Sequence, residues 1–328
     1  MTLLEVKVDP ELRDTLKNMP CLSKPDWSLE QIQDYWTELA SNRPVPEHRE
    51  DVAFSDFSTS GLDADGQVGL RVYQPISRDQ AKTLPVVLWI HGGGFIGGNV
   101  RSNDAFCENI VSACNCVVVS VEYRLVPQFP YPAALDDCDQ ALNWIYSESS
   151  SLQIDTRRIA VAGASAGGCL AAALCLRVRD KGGPPIAFQC LIIPVLDDRH
   201  KLPSSQLITD PRVWNRELSI KAWRGYLSEY KAEAPIYAAP ARASDKRSLP
   251  STFVSVEDND LLRDEGIEYA QELIQAGVQT ELHVYPGTFH GSLTSAPTAA
   301  VSIGHVNAIH HAIRQALKAK SCSASDDN

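Results

Sequence analysis

From Leu84 to Tyr285 the chain alternates short apolar runs with longer amphipathic stretches. The runs are PVVLWI (85–90), CVVVSV (116–121), IAVAG (159–163), FQCLIIP (188–194), TFVSV (252–256) and ELHVY (281–285). Helical patterns lie near 103–114, 132–147, 166–180 and 264–276, and a last one covers 298–318. Runs that are apolar at every position belong to strands buried on both faces, so this rhythm predicts a parallel sheet covered by helices. Upstream, VAFSDFS (52–58) and QVGLRVY (67–73) flank a turn rich in Gly, Asp and Ala and read as an antiparallel pair. The expected class is α/β, an eight-stranded, mostly parallel sheet with helices on both faces.

Two stretches break the rhythm. Residues 1–50 are polar and helical, with Trp27, Leu29, Ile32, Tyr35, Trp36 and Leu39 spaced by threes and fours behind a helix start at Ser28, Glu30 and Gln31. Between FQCLIIP and TFVSV lie almost sixty residues without a strand. There WNRELSIKAWRGYLSEY (214–230) sets Leu218, Ala222, Trp223, Tyr226, Leu227 and Tyr230 on one helical face. Both stretches suit a cap over the carboxyl ends of the strands, where open α/β sheets bind ligands. The expected organisation is cap helices over 1–50, a main domain over 51–320 with a cap insertion at about 197–235, and a loose tail over 321–328.

Composition narrows the function. With 328 residues, 44% hydrophobic and 22% charged, the chain reads as globular throughout. Its formal charge of -11 argues against gripping phosphate backbones, so nucleic acid is not an expected partner. No apolar run approaches the ~18 residues needed to span a bilayer, so stable membrane insertion is not expected either. The start, MTLLEVKVDPEL, has no signal-peptide core, and nine cysteines lie scattered. They read as buried, reduced thiols of a cytoplasmic protein.

Two motifs carry chemistry. His91-Gly92-Gly93-Gly94-Phe95 follows the strand PVVLWI directly, and Gly163-Ala164-Ser165-Ala166-Gly167 ends the strand IAVAG and opens an Ala-rich helix. A serine hydroxyl is a weak nucleophile and must sit exposed on a tight turn within reach of a base. Strand, sharp turn and helix are the setting that G-x-S-x-G requires. Glycines on either side permit the strained backbone, and the helix start aims free N–H groups at developing negative charge. A glycine run after an earlier strand can present more N–H groups to the same oxygen.

Such a serine needs an imidazole and a carboxylate further along the chain. Of eight histidines, His290 in PGTFHGS sits in a Gly-rich loop just after a strand. His283 lies within that strand, and His305, His310 and His311 belong to the last helix. The carboxylate should follow TFVSV, where Glu257, Asp258, Asp260, Asp264 and Glu265 all stand. No metal or organic cofactor is implied, because ligand spacings for one are absent.

These motifs, with VEYRLVPQFPYPAALDDCDQALNWI (121–145), SAGGCLAAAL, IIPVLDD and NDLLRDEG in the same order, resemble the hormone-sensitive lipase family of α/β-hydrolases, the HGGG esterases. The resemblance runs over roughly 52–315. It implies an α/β-hydrolase fold with a helical cap, Ser165 as nucleophile, Asp260 as acid and His290 as base. Gly93, Gly94 and Ala166 would supply oxyanion N–H groups, while His91 and Gly92 shape their loop and Gly163 and Gly167 support the serine turn. Asp264 and Glu265 fall in a first helical turn, where the macrodipole gives carboxylates a structural reason to exist. Asp258 remains the competitor to Asp260. Two departures stand out: Ala164 where the family has Asp or Thr, and Glu122 where it has Asp. Tyr123, Arg124 and Asp137 read as braces, and Cys169 as packing.

The implied activity is hydrolysis of a small to medium carboxylic ester or lactone through an acyl-enzyme. A non-hydrolytic step on the same scaffold (acyl transfer, lactone opening or closure, elimination) is the alternative. A receptor that has lost part of the triad is disfavoured because serine, acid and histidine all remain. The expected partner is a small molecule, and a homodimer is compatible with this reading.

Overall fold

The computed structural model describes residues 7–42, 47–60, 67–79, 81–228 and 233–318. The tail expected over 321–328 and Tyr230 of the cap insertion lie outside the described residues. All eight expected strands form: β1 (Val52–Ser60), β2 (Gln67–Pro75), β3 (Leu84–Ile90), β4 (Val117–Glu122), β5 (Ile154–Ala164), β6 (Phe188–Ile192), β7 (Ser251–Glu257) and β8 (Thr280–Tyr285). They make one sheet in the order β1-β2-β4-β3-β5-β6-β7-β8. Only β2 runs against its neighbours; every pair from β4 to β8 is parallel.

The helices are α1 (Arg13–Asn18), α2 (Leu29–Ser41), α3 (Asp104–Cys114), α4 (Ala133–Ser147), α5 (Ala166–Lys181), α6 (Pro203–Leu207), α7 (Arg216–Tyr226), α8 (Arg263–Gln275), α9 (Ser292–Ser295) and α10 (Ala300–Ala316). Strand pleating divides the core into two layers. Val86, Leu88 and Ile90 of β3, with Val117, Val119 and Val121 of β4, face α4, α5 and α8. Val87, Trp89 and Val118 face α3 and α10 on the other side. Every β3 residue is buried, which is why its sequence is continuously apolar instead of alternating. Helix α5 is buried from Ala166 to Leu176, and its alanines let it lie close to the sheet.

The amino-terminal segment and the insertion both lie over the strands' carboxyl ends. Ser28 caps α2 in a reciprocal box with Gln31, as the sequence predicts. Gln33 of α2 donates to the carbonyls of Ile96 and Val126. Lys221 of α7 donates to the carbonyls of Lys24, Pro25 and Trp27, tying α7 to the segment before α2. Val8, Leu12 and Leu16 bury against Val213 of the insertion and Phe289, the residue before His290. The Asp9 N–H donates to Gly287 O at 2.9 Å, in the same loop.

The cysteines divide. Seven of the eight described are buried, but Cys21 is exposed, contrary to the expectation of uniformly buried thiols; it lies in the polar stretch between α1 and α2. No helix among the described residues is long and apolar enough to cross a membrane.

Candidate active site

Ser165 stands between the end of β5 and the start of α5 with φ 55° and ψ -117°. That positive φ is strained for a residue with a side chain and turns its hydroxyl out of the sheet. The turn is pinned by the Ser165 N–H donating to Ile192 O and by Val195 N–H donating to Ser165 O, both from the β6 end. The flanking glycines are sterically required. A Cβ on Gly163 would lie 2.2 Å from Gly167 O, and one on Gly167 would lie 2.0 Å from Ile90 O.

The HGGG loop lies directly beside this turn. A Cβ on Gly92 would meet Ala164 O at 2.9 Å and Ser165 Cβ at 3.3 Å. His91 is fully buried, stacked on Tyr123 with centroids 4.1 Å apart, and its Nδ1 lies 2.7 Å from Gly92 O. Burial lowers its pKa to about 4, so it is a neutral spacer at physiological pH. Tyr123 donates to His91 O. Phe95 stacks on Tyr226 of α7 at 4.0 Å, anchoring the loop against that helix. The N–H groups of Gly93, Gly94 and Ala166 have no hydrogen-bond acceptor among the described residues. Three donors beside one serine are therefore free for an incoming oxygen.

Behind the serine runs a chain of hydrogen bonds. His290 Nε2 lies 3.0 Å from Ser165 Oγ, and its Nδ1 lies 2.7 Å from Asp260 Oδ2. Asp260 is 1% exposed, and its Oδ1 accepts the N–H of Leu262. Leu261 and Leu262 are buried beneath it and hold the loop. Asp258 points away, with a side chain 43% exposed and 3.5 Å from Arg263. Asp264 accepts from the Ser204 N–H. Glu265 is buried and accepts the N–H groups of Leu196 and Asp197, so it braces the β6 exit instead of serving only the helix dipole. Burial raises its pKa well above the ordinary range.

Burial opposes a charged His290, but the charge and hydrogen bond of Asp260, with Glu257 adding, hold its pKa above the ordinary 6.5. The arrangement can accept a proton from Ser165 and keep it while an oxygen in the N–H pocket carries negative charge.

A family profile described as "alpha/beta hydrolase fold" matches residues 87–294, from β3 through the histidine loop. The chain belongs to the α/β hydrolase family. It is 35% identical over 289 residues to the esterase LipI of Mycobacterium tuberculosis, covering 87% of each protein. It is 34% identical over 326 residues to the carboxylesterase NlhH of the same organism, covering 97% of this chain and 99% of that protein. The solved structure of a bacterial heroin esterase superposes with a TM-score of 0.89 and 41% identity, over 96% of this chain and 99% of that one. These likenesses agree with the resemblance to the hormone-sensitive lipase group.

Other residues of this α/β hydrolase act as supports. Arg124 pairs with Asp137, which also accepts the Arg124 N–H, bracing the β4–α4 connection. Cys169 is buried in α5, where burial raises its thiol pKa far above normal. Glu122 accepts the Val100 N–H, fastening the loop after the glycines. Ala164 is half-buried and packs with the α3/α10 layer. Two residues near the site received no role of their own from the sequence, Glu257 standing there only among five candidate acids. Trp214, just before α7, sits on Gly94, where a Cβ would be 2.4 Å from the indole, and lies 6.2 Å from the His290 ring. Glu257 is the other; its alternation with Phe253 and Ser255 along β7 was the available signal.

Proposed function

We propose that this protein is a serine carboxylesterase that hydrolyses small to medium esters or lactones through an acyl-enzyme. The supporting observation is the continuous relay from Ser165 through His290 to Asp260 beside three unpaired N–H groups. His290 Nε2 takes the hydroxyl proton as Ser165 Oγ attacks the carbonyl carbon. The carbonyl oxygen gains charge and is received by the N–H groups of Gly93, Gly94 and Ala166. Asp260 holds the imidazole in the tautomer that accepts at Nε2 and stabilises the imidazolium. The proton then passes to the departing alkoxide, and a water deprotonated by the same nitrogen releases the acid. Esterase names among the relatives favour water over another acyl acceptor.

In this reading residues 51–320 form the catalytic domain, capped by residues 1–50 and the insertion at about 197–235. The free thiols support a cytoplasmic setting, and a homodimer is the assembly to look for by light scattering. The test is Ser165→Ala, expected to abolish ester turnover in a folded protein, with an organophosphate labelling Ser165 alone in the parent. Full activity in Ser165→Ala would refute the acyl-enzyme.

A further inference from the structure

Glu257 ends β7 fully buried, yet it is ringed by donors. One carboxylate oxygen accepts the Gly291 N–H at 2.6 Å; the other accepts the Ser292 hydroxyl at 2.7 Å and the Leu293 N–H at 3.3 Å. Gly291 follows His290 directly and has φ 79°, a left-handed turn that starts α9. Glu257 therefore ties down the three residues that carry the backbone away from His290. Its carboxylate, that of Asp260 and a ring nitrogen of His290 all lie within 4.8 Å of one another. An ordinary salt-bridge partner would be a lysine or arginine; among the described residues the cation beside Glu257 is the imidazolium itself.

We propose that Glu257 is a positioning residue, a second carboxylate that fixes the His290 loop and shares with Asp260 the stabilisation of the imidazolium. This rests on His290 acting as the base, as argued above. The proton still moves only between Ser165 Oγ, His290 Nε2 and the leaving oxygen; Glu257 exchanges none. Burial first, and then the Asp260 charge, raise the Glu257 pKa to about 7, against the lowering effect of His290, Ser292 and Gly291. Glu257 thus acquires its charge over the range in which His290 works. From α10, His305 bonds Ser255 two residues earlier on β7, and burial lowers its pKa to about 3, so it stays neutral there. Arg263 is engaged outward with Asp258 and Asp264.

The test is Glu257→Gln on the full chain, with pH profiles of kcat and KM on one soluble nitrophenyl ester. Loss of the neighbouring charge should lower the midpoint of the acid limb of kcat/KM by about one pH unit and reduce kcat about 10–100-fold with KM little changed. Glu257→Asp should return the limb toward the parent position. A merely structural carboxylate would leave the midpoint in place. An unmoved midpoint in a Glu257→Gln protein that still reacts with organophosphate at Ser165 overturns the proposal. If Glu257→Gln does not fold, Ser292→Ala takes its place. Removing that hydroxyl raises the Glu257 pKa, so the limb should move the same way by a smaller amount, and an unmoved limb again overturns the proposal. Turnover surviving in Ser165→Ala would instead sink the reading beneath it, so the two failures are distinguishable.

Discussion

Replacing Asp260 with Asn keeps the shape of the side chain but removes its charge and turns one acceptor into a donor. In the parent, Asp260 Oδ2 stands 2.7 Å from His290 Nδ1 and is 1% exposed, so water cannot take its place. A charge pair at about 4 Å is worth about 4 kcal/mol at an effective dielectric of 20, which is about a thousandfold in rate. The Asn amide also favours the imidazole tautomer that cannot accept from Ser165, so kcat should fall by about 10³–10⁴ with KM nearly unchanged. The pH profile supplies a second reading. With His290 as the base, activity requires its neutral form, so the parent should lose activity as pH falls through a midpoint above 6.5. In Asp260→Asn the main raising influence is gone while burial remains. The limb therefore moves to lower pH, and the deficit narrows in acid. Asp258→Asn, at an exposed side chain turned toward Arg263, should change turnover less than about threefold. The assay is initial-rate hydrolysis of one nitrophenyl ester from pH 5 to 9. If Asp260→Asn keeps most of its turnover while Asp258→Asn loses it, the geometric argument is wrong.

Further expectations can be checked alongside. Gly94→Ala puts a methyl group 2.4 Å from the Trp214 ring at a residue with φ 59°; it should displace an oxyanion N–H and lower kcat about 10²–10³-fold, and an unaffected kcat would remove Gly94 from the pocket. Gly167→Ala drives a Cβ to within 2.0 Å of Ile90 O, with backbone on both sides. It should destabilise the protein by about 3 kcal/mol in urea unfolding, and an unchanged midpoint would contradict the packing. Water-soluble short esters should be cleaved in preference to emulsified triglycerides, because α7 turns its aromatic residues inward on Phe95 and offers no broad apolar face to lipid; strong activation by lipid droplets would refute this.

Much of this architecture was readable because burial on both faces leaves a simple mark. Strands such as Leu84–Ile90 are apolar at each position, and the helices between them keep their period. The motif residues were also legible, since a tight turn and a glycine run leave few alternatives for what meets at the sheet's carboxyl edge. The β7 exit was harder. Five carboxylates stand within nine residues there, and their fates depend on the pleat and on distant loops: Glu257 turns inward to Gly291, Asp258 outward, and Glu265 reaches the N–H of Leu196. From the sequence Glu265 had an adequate explanation in its helix position, and that explanation left out its actual partner. Trp214 was obscured for a different reason. It lies outside the periodic face of α7, and only docking of the insertion brings it over Gly94.

The contact of Val8, Leu12 and Leu16 with Val213 and Phe289 bears on how mutational libraries of this protein should be interpreted. These three side chains lie in a cluster separate from the two strand layers, together with Val213 of the insertion, Phe289 before the histidine, and Ala296 and Ala299 just before α10. Polar substitutions there would leave the eight-stranded sheet in place while letting the histidine loop drift. Since misplacement of a reacting group by about 1 Å can lower a rate a hundredfold, such variants would be abundant, well folded and inactive. A saturation screen scored on turnover would rank Leu12 and Leu16 among the active-site loops, although they lie far along the chain from Ser165. A screen scored on abundance would pass them as neutral. The divergence between the two maps at residues 8–16 would mark a clasp, and an engineer trimming the amino terminus for expression would discard it unknowingly.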